Sequence, residues 1–470
     1  MRMKMKKSLL VVGMALAFAA PAFALDKTPT APMASPLGVP GVTDAQLDPA
    51  FWVRRLGADA DRVLLDAKGV DASNARMLAG DPTIFDLTAL PASIPKAQAS
   101  EWIGDLSSRP KRTLYDGKGQ EIPAATLDGL VADANLAALP DTIAPRYALV
   151  VERAALRSFP SNLRAFTSND DTDIDRFQES ALFPGMPVAI LHESRDGQWA
   201  FVVSKRYRAW IERKHIAEGP RDTVLAYASA SPYRIVTGPK VRTVYTPELP
   251  KASELPLDMG TRLPIADVPR DTPVNGQHPY TSYAVQLPLR NDDGTLRIAP
   301  ALVQKNADTA GAPLPVTQGN ILRQAFKFLG ERYGWGHDYD SRDCSGFVSE
   351  VYASLGLLMP RNTGDQARSP VLQRTPFTDA STRAERDAAV ARLRVGDLVY
   401  IPGHVMMMIG RIDGQPYVIH DTNGGSVLGA DGKLHSMHLN AVSVTPLLPL
   451  MYDPTHRYVD RMTTIVRVAP

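Results

Sequence analysis

The sequence has a single cysteine among 470 residues, no excess of either charge and, beyond its first segment, no long apolar run. The lone Cys344 excludes an internal disulfide. Lys and Arg number 52 against 50 Asp and Glu, so charge gives no reason to expect nucleic acid as a partner. A membrane-spanning helix needs about 20 apolar residues, and we therefore expect no membrane span after the first segment.

The first segment has the pattern of a targeting signal. A basic start is followed by an apolar stretch at 9–20 and by the small-residue motif Ala22-Phe23-Ala24. We predict a signal peptide over 1–24 and export of a soluble protein to the periplasm or cell envelope. Because such compartments are oxidising, a retained lone thiol favours chemistry or intermolecular pairing. Residues 25–47 are predicted to form a linker, since their Pro-, Thr- and Ala-rich start cannot bury a core.

The middle of the chain divides into three predicted units by its periodicity. Helix-like stretches broken by Pro and Gly run over 48–136. Alternation of apolar and polar residues with close turn signals follows over 146–217, and a second β-rich unit spans 222–306. Short strands at this spacing are typical of small β-barrels.

The C-terminal unit, 315–470, has helices first and strands afterwards, which predicts an α+β domain. Cys344 lies where a Gly- and Asp-rich loop gives way to an apolar pattern with helical spacing. A thiol at a helix N-terminus is stabilised as thiolate by free N–H groups and the helix dipole, so we expect a pKa below about 8.5. The alternative is a buried cysteine that acts as a small hydrophobic residue.

A cysteine nucleophile needs a base and a third group that orients the base. His404 opens one predicted strand and His420 ends the next, with the turn Asp413-Gly414 between them. A three-residue loop over 412–414 would pair Arg411 with Gln415 and place both histidines on one face, whereas a two-residue loop would place them on opposite faces. The hypothesis of a Cys-His-His triad therefore predicts the longer loop.

Another pair of histidines, His435 and His438, has a spacing that suggests zinc. With no second thiol and no clear partner, we interpret them as part of a solvated loop. We expect neither a metal nor an organic cofactor.

Four motifs follow one another in the C-terminal unit: 333–336 (YGWG), 343–347 (DCSGF), 396–399 (GDLV) and 403–405 (GHV). In this order they resemble the NlpC-type peptidoglycan endopeptidases, which are papain-like cysteine peptidases of bacterial walls. The resemblance implies Cys344 as nucleophile, His404 as general base and acid, and His420 at the third, orienting position.

Two upstream stretches extend the resemblance. Residues 175–182 (DRFQESAL) with 184–188 (PGMPV) resemble the bacterial SH3 domain that precedes such catalytic domains, and 258–264 (DMGTRLP) is similar to a second one. The implied fold class is multidomain: a helical N-terminal segment, two small β-barrel SH3 domains and a papain-like α+β domain. The implied activity is hydrolysis of the bond between γ-D-glutamate and the diamino acid (diaminopimelate) in murein stem peptides, with a preference for a free N-terminal L-Ala.

By the same resemblance, two sets of residues contact the substrate peptide. The subsites of the catalytic domain would be formed by Tyr333, Trp335, Asp343 and Ser345, with Arg361 or Thr363 binding a carboxylate. From the first SH3 domain, Glu179 and Tyr207 would recognise the free amine and close the cleft. Because the charge of Asp343 opposes a thiolate beside it, we expect this carboxylate to hold a substrate amine rather than to activate Cys344. The alternative role of Asp343 is that of a helix N-cap.

Two other functions remain open at this point. The same thiol could serve an amidase or an acyltransferase, and the chain could be a wall-binding SH3 protein with an idle catalytic domain. The three filled catalytic positions argue against the idle domain. Murein peptides or peptidoglycan fragments are the expected partners.

Overall fold

The computed structural model describes residues 35–429 and 431–469. The predicted signal peptide 1–24 and the linker residues 25–34 lie outside the described residues. No helix in the described part combines the length and apolar character that crossing a membrane requires.

The N-terminal region contains short helices and strands, each started by local sequence. Asp48 caps the first helix by accepting from the Ala50 N–H at 2.8 Å, and Pro49 occupies the first helical position. The elements are α1 (Pro49–Leu56), β1 (Val63–Leu65), α2 (Ala67–Gly80), β2 (Ile94–Pro95), α3 (Lys96–Leu106), α4 (Ala124–Asp133) and β3 (Thr142–Ile143).

The first half of this region belongs to the core of the C-terminal domain. Trp52 is 1% exposed, its ring lies 5.4 Å from that of Tyr417, and its Nε1 donates to the Gln46 carbonyl at 2.8 Å. Val42 is 2% exposed in the same core. The predicted linker therefore ends before residue 47. Val42 and Leu47, the last residue of the 3₁₀ helix Asp44–Leu47, pack in the apolar core of the C-terminal domain.

The second half packs on the first β module instead. Ile94, Ala99 and Ile103 are buried in one cluster with Leu149 and Trp210 of that module. The helical segment 48–136 is thus divided between two domains and has no single core of its own.

The first β module is a seven-stranded antiparallel sheet in the order β10-β4-β7-β8-β9-β5-β6. Its interior is formed by two clusters of buried apolar side chains. The strands are β4 (Arg146–Val150), β5 (Ala154–Arg157), β6 (Gln178–Leu182), β7 (Pro187–Glu193), β8 (Trp199–Val203), β9 (Arg208–Glu212) and β10 (Ile216–Gly219).

The second β module follows helix α5 (Arg221–Ser229) and consists of small antiparallel sheets around one apolar cluster. Its strands are β11 (Tyr233–Val236), β12 (Lys240–Arg242), β13 (Pro256–Asp258), β14 (Arg262–Pro264), β15 (Ser282–Arg290), β16 (Leu296–Gln304) and β17 (Thr309–Ala310).

The C-terminal domain has the expected order, with helices before the main sheet. Its elements up to the sheet are β18 (Val316–Thr317), α6 (Gln318–Phe326), α7 (Cys344–Ser354), α8 (Thr363–Arg368), β19 (Gln373–Pro376) and α9 (Arg383–Ala391). The remaining strands are β20 (Leu398–Ile401), β21 (His404–Ile412), β22 (Gln415–Thr422), β23 (Gly425–Leu428), β24 (Leu434–Met437), β25 (Ala441–Pro446) and β26 (Thr464–Arg467).

The main sheet has the order β19-β26-β20-β21-β22-β25, and α7 packs against β21 and β22. Thr317 caps α6 by accepting from the Asn320 N–H. Strand β1 pairs with β18, which joins the N-terminal region to this domain. Further 3₁₀ helices lie at Gly57–Asp61, Leu136–Ala138, Arg213–His215, Pro250–Ala252, Pro279–Thr281, Trp335–His337 and Tyr458–Arg461.

Candidate active site

Cys344 is the first residue of α7 and is 5% exposed. Asp343 caps the helix by accepting from the Gly346 N–H at 2.8 Å. The Cys344 sulfur lies 3.8 Å from the Thr363 hydroxyl and accepts a hydrogen bond from the Val405 backbone N–H, one residue beyond His404. The helix start thus places the thiol beside the first residues of β21.

The β21–β22 hairpin places both histidines on one face, as predicted, but it does so with a shorter loop and a β-bulge. Its loop has two residues, Asp413 and Gly414, both with positive φ as a type I′ turn requires, and Ile412 pairs with Gln415. The predicted three-residue loop is therefore wrong. A β-bulge between Met408 and Gly410 shifts the register by one residue and restores Met406 opposite His420.

His404 and His420 are joined by a hydrogen bond. His404 Nε2 lies 2.8 Å from His420 Nδ1, and His420 Nε2 lies 3.0 Å from the hydroxyl of Thr445 on β25. The predicted placement of both histidines on one face is confirmed. Thr445 was not foreseen from the sequence, because its contact depends on the pairing of β22 with β25.

The chain of bonds leaves one imidazole nitrogen unused. Among the described residues, His404 Nδ1 has no hydrogen-bond partner, whereas both nitrogens of His420 are bonded. If His404 donates from Nε2 to His420, and His420 donates from Nε2 to Thr445, the His404 Nδ1 lone pair is free to accept a proton.

Burial disfavours the charged form of both reactive groups. Burial, with the nearby Asp343 carboxylate, raises the pKa of Cys344 to about 12, and burial lowers the pKa of His404 to about 4. The expected pKa below about 8.5 for Cys344 is therefore wrong, because burial outweighs the effect of the helix terminus. A helix dipole contributes about 0.3–1 kcal/mol at most sites, which is less than the desolvation of a buried charge.

Asp343 is occupied by the protein and is 7% exposed. Its carboxylate accepts from the N–H of Gly336 and Gly346 and pairs with both terminal nitrogens of Arg361. Burial alone would raise the pKa of Asp343, but Arg361 holds it at about 2. The structure favours the helix-cap alternative, and a free carboxylate for a substrate amine is not present at this position.

Arg361 does not offer a site for a substrate carboxylate. It is 2% exposed, and its five N–H groups are all used by protein acceptors. The acceptors are Ser180 at 2.7 Å, Asp343 at 3.1 and 2.8 Å, Ser345 at 3.0 Å and His337 at 2.7 Å. The predicted carboxylate-binding role of Arg361 is corrected to one of positioning, because packing of β6 on the domain supplies Ser180.

A buried network of charges continues below Asp343. His337 donates from Nε2 to Glu350 at 2.7 Å, and Arg342 donates to Glu350 at 2.5 Å. Arg342 also pairs with Glu331 and with Asp258 of β13, and Asp258 pairs with Arg153 of the first β module. The sequence did not reveal this network, in which all three modules meet at fully or largely buried ion pairs.

The other predicted contact residues lie in the loop before α7, in α7 itself and at the start of α8. Tyr333 and Ser345 are buried, whereas Trp335 and Thr363 are partly exposed. The Trp335 indole donates to the Gln178 carbonyl of β6 at 3.1 Å. The first β module is thus bonded directly to the loop that precedes Cys344.

The predicted amine-binding pair is also brought together. Tyr207 donates from its hydroxyl to the Glu179 carboxylate at 2.5 Å, and the Ser158 hydroxyl donates to the same carboxylate. Tyr207 also reaches Asn362, the residue before Thr363. Tyr207 thus bridges Glu179 of the first β module and Asn362 of the C-terminal domain.

The described residues contain no group of three His, Cys, Asp or Glu side chains arranged to hold a metal ion. His435 lies on β24 and bonds to Asp431 at 2.9 Å, in an exposed hairpin.

Family models match two parts of the chain. Residues 163–212 match the SH3 domain of the SH3b1 type, and residues 330–445 match the NlpC/P60 family. The second match contains Cys344, His404, His420 and Thr445.

Two curated relatives and one solved structure show the same likeness. A gamma-D-glutamyl-L-lysine dipeptidyl-peptidase of Bacillus cereus is 27% identical over 43% of this chain and 57% of its own length. Dipeptidyl-peptidase 6 of Lysinibacillus sphaericus is 24% identical over 52% of this chain and 79% of its own. The chain thus spans little more than half of the Bacillus cereus protein.

An NlpC/P60 endopeptidase structure from Photobacterium damselae subsp. piscicida superposes with a TM-score of 0.71 at 16% identity, over 88% of this chain and 95% of that one. At this identity the likeness concerns the fold. Together with the two family models, it confirms the resemblance stated from the motifs. The chain is therefore similar to the NlpC/P60 family, a family of cysteine peptidases, over residues 330–445, and to the SH3 domain of the SH3b1 type over residues 163–212.

Proposed function

We propose that this protein is a cell-wall cysteine peptidase that hydrolyses the bond between γ-D-glutamate and the L-diamino acid of murein stem peptides. The observation that carries the proposal is the thiol of Cys344 at a helix start, beside a bonded His404–His420 pair with one free ring nitrogen. The name of the Bacillus cereus relative, a gamma-D-glutamyl-L-lysine dipeptidyl-peptidase, supports the γ-D-glutamyl bond type.

The proposed reaction proceeds through an acyl-enzyme. His404 Nδ1 takes the thiol proton while the Cys344 sulfur attacks the γ-carbonyl carbon, so both groups can start neutral. The C–N bond then breaks, and His404 returns the proton to the leaving amine of the diamino acid. Water attacks the thioester, His404 takes its proton, and the departing sulfur is reprotonated.

The developing oxyanion would lie at the start of α7. Backbone N–H groups in the first turn of a helix have no intrahelical acceptor, and the Cys344 N–H is the first of these. Such preorganised donors stabilise negative charge without reorganisation. His420 and Thr445 would keep His404 in the tautomer whose Nδ1 accepts the proton.

Specificity for a free N-terminus would come from the first SH3-type module. The Glu179 carboxylate, fixed by Tyr207 and Ser158, is a suitable partner for the ammonium of an N-terminal L-Ala. A cleft closed there would favour released murein peptides over intact sacculi.

We further infer that the second β module is also a bacterial SH3 domain and that the catalytic domain is papain-like. The arrangement of a cysteine-bearing helix against an antiparallel sheet that carries the histidine supports the latter. Export to the periplasm or cell envelope, a role in murein recycling and the absence of a cofactor are parts of the same proposal.

The test compares the wild type with Cys344→Ala on L-Ala-γ-D-Glu-diaminopimelate, measuring release of L-Ala-γ-D-Glu by chromatography. We expect the variant to lose release by at least about 10³-fold while retaining its melting temperature. Undiminished release would overturn the role of Cys344. Wild-type cleavage of whole sacculi as fast as of free peptide would overturn the recycling role.

The same assay separates the alternatives. An acyltransferase would give transfer products when a second amine is added, and an amidase would release products cut at the amide between glycan and peptide. A wall-binding protein with an idle domain would bind sacculi and release nothing.

A further inference from the structure

Two arginines near the end of α9 have guanidinium groups that the protein leaves unpaired. Arg392 follows the last residue of α9, and Arg394 lies in the segment that leads to β20. Both are exposed, and within the described residues neither guanidinium makes a hydrogen bond or an ion pair. Arg342 and Arg361, by contrast, use every N–H group on protein acceptors. Arg392 and Arg394 are therefore free to bind an external group.

Arg392 and Arg394 line a common cavity of about 390 Å³ between α9 and the strands β19 and β26. A third guanidinium, that of Arg467 on β26, lines it as well. Gln373 and Thr375 lie two residues apart on β19 and therefore point to the same face, where they also line the cavity. In the described part of the chain, their amide and hydroxyl groups make no hydrogen bond. The cavity thus combines three cations with two neutral polar groups.

The acid that lines this cavity, Asp397, is already engaged. Its carboxylate accepts from Arg467 Nε at 2.8 Å, from Arg467 Nη2 at 2.7 Å and from the backbone N–H of Arg394 at 2.8 Å. The side chain of Asp397 is 3% exposed, so this pair fixes the orientation of Arg467. Three guanidinium groups against one carboxylate leave two positive charges in the cavity without a counter-ion.

The end of α9 does not cancel this positive charge. The last carbonyls of a helix carry partial negative charge, which would oppose an anion. Here the Ala389 carbonyl accepts from the Arg392 N–H at 3.1 Å, and the Val390 carbonyl accepts from the Leu393 N–H at 3.1 Å and from the Arg411 guanidinium. Because these carbonyls already have donors, the arginine side chains determine the charge that a ligand in the cavity meets.

We propose that this cavity binds a phosphate monoester, carried either by a soluble molecule or by a lipid headgroup. A guanidinium matches two phosphate oxygens with parallel N–H donors, and three such groups converge here. A phosphate monoester carries close to two negative charges at neutral pH, which balances the two uncompensated positive charges. A single carboxylate would balance one of them.

The proposed phosphate site is separate from the catalytic groups. Asp397 immediately precedes Leu398 at the start of β20, whereas His404 pairs with Ile401 at the end of that strand. At the usual rise per residue, the two ends of β20 lie about 10 Å apart. The inference therefore goes beyond the proposed peptidase function and does not depend on it.

The test compares the wild type with the double variant Arg392→Gln/Arg394→Gln. The matched control, Arg54→Gln/Arg383→Gln, removes two exposed arginines outside the cavity and changes the net charge equally. Calorimetric titration with inorganic phosphate, and separately with acetate, measures binding, and melting temperatures report folding. Sedimentation with phosphatidylcholine vesicles that contain phosphatidic acid, a phosphate monoester, or phosphatidylglycerol, a diester, distinguishes a lipid from a soluble source.

We expect the wild type to bind inorganic phosphate with a Kd of about 1 mM or below, and the double variant to bind it at least about 10-fold more weakly. The control should match the wild type, and acetate should bind at least about 10-fold more weakly than phosphate. Sedimentation with phosphatidic acid vesicles that the double variant loses would identify a lipid headgroup as the source. Phosphate binding without sedimentation would identify a soluble phosphate ester.

Three results would overturn the proposal. The first is a wild type that does not bind phosphate. The second is a loss of phosphate binding that is equal in the folded double variant and in the control, since this would reflect net charge and not the cavity. The third is binding of acetate as tight as that of phosphate, or equal sedimentation with both anionic lipids, because neither would require a monoester.

Discussion

Two buried histidine sites in the C-terminal domain differ in charge and in the number of free nitrogens. His404 and His420 form a chain that ends at Thr445 and contains no ion. His337 lies between Glu350 and Arg361, and both of its nitrogens are bonded. Burial, followed by the charge of Arg361, keeps the pKa of His337 well below its ordinary value. Both sites are therefore neutral, but only His404 has a nitrogen free to take a proton.

The difference suits the His404 site to catalysis and the His337 site to a structural role. Around His337, Arg342 and Arg361 use their N–H groups in ion pairs with Glu350 and Asp343. The second pair holds Asp343 in place as the cap of the helix that carries Cys344. Around His404, neutral partners orient the ring and leave its reactive side open. The experiments below test whether the two sites divide their roles in this way.

The largest expected effect is on the rate after His404→Ala. Removal of the general base should lower kcat by about 10³- to 10⁴-fold with little change in melting temperature. His337→Gln, the matched control from the other site, should lower the melting temperature and change kcat by less than about 10-fold. Steady-state kinetics and thermal melts of both variants measure this, and the reverse pattern would exchange the two roles.

The next largest effect is on stability, from Arg342→Met in the charged network. This change leaves three buried or partly buried carboxylates without their shared cation, so we expect a loss of about 3–5 kcal/mol in the free energy of unfolding. The control is Arg332→Met, whose exposed pair with Asp173 should contribute no more than about 1 kcal/mol. Equal losses in urea unfolding would contradict the importance of the network.

A smaller effect concerns pH. The pKa of His404 is about 4, below the unfolded value of about 6.5, so the neutral imidazole persists in the fold down to about pH 4. Between these two values the unfolded chain binds a proton that the folded chain does not, and stability falls as pH falls through this window. NMR titration of the His404 ring in Cys344→Ala should give a midpoint near 4, and a midpoint near 6.5 would contradict the neutral, buried site.

The smallest effect should follow from Thr445→Val. Loss of the hydroxyl removes the acceptor that holds the His420 tautomer, and we expect kcat to fall by about 3- to 10-fold with KM unchanged. Thr445→Ser should restore the rate, which a purely steric role would not explain. Kinetics of the two variants side by side make the measurement.

The sequence predicted what local pattern and motif order determine. The helix start at Cys344, the order of helices and strands, and the shared face of His404 and His420 could all be read from it. The loop length was wrong because a bulge is one extra residue in an otherwise regular pattern, and Gly410 was the only local signal.

What the sequence did not predict depends on contacts between distant parts of the chain. Arg361 was assigned to substrate because nothing near it shows that Ser180 and His337 would surround it. Only the packing of the modules against one another shows that protein acceptors already use the N–H groups of Arg361.

The contact of Trp52 with the bulge has a consequence for the order in which the chain can fold. Gly410 has φ of 150°, and a Cβ there would meet the Trp52 ring at 2.7 Å, so the bulge is shaped to admit that ring. The Tyr417 hydroxyl also donates to the Gly41 carbonyl across 376 residues of chain. Closing such a large loop is slow and costs entropy. The stretch around Trp52 can therefore complete its packing only after β21 and β22 have been synthesised.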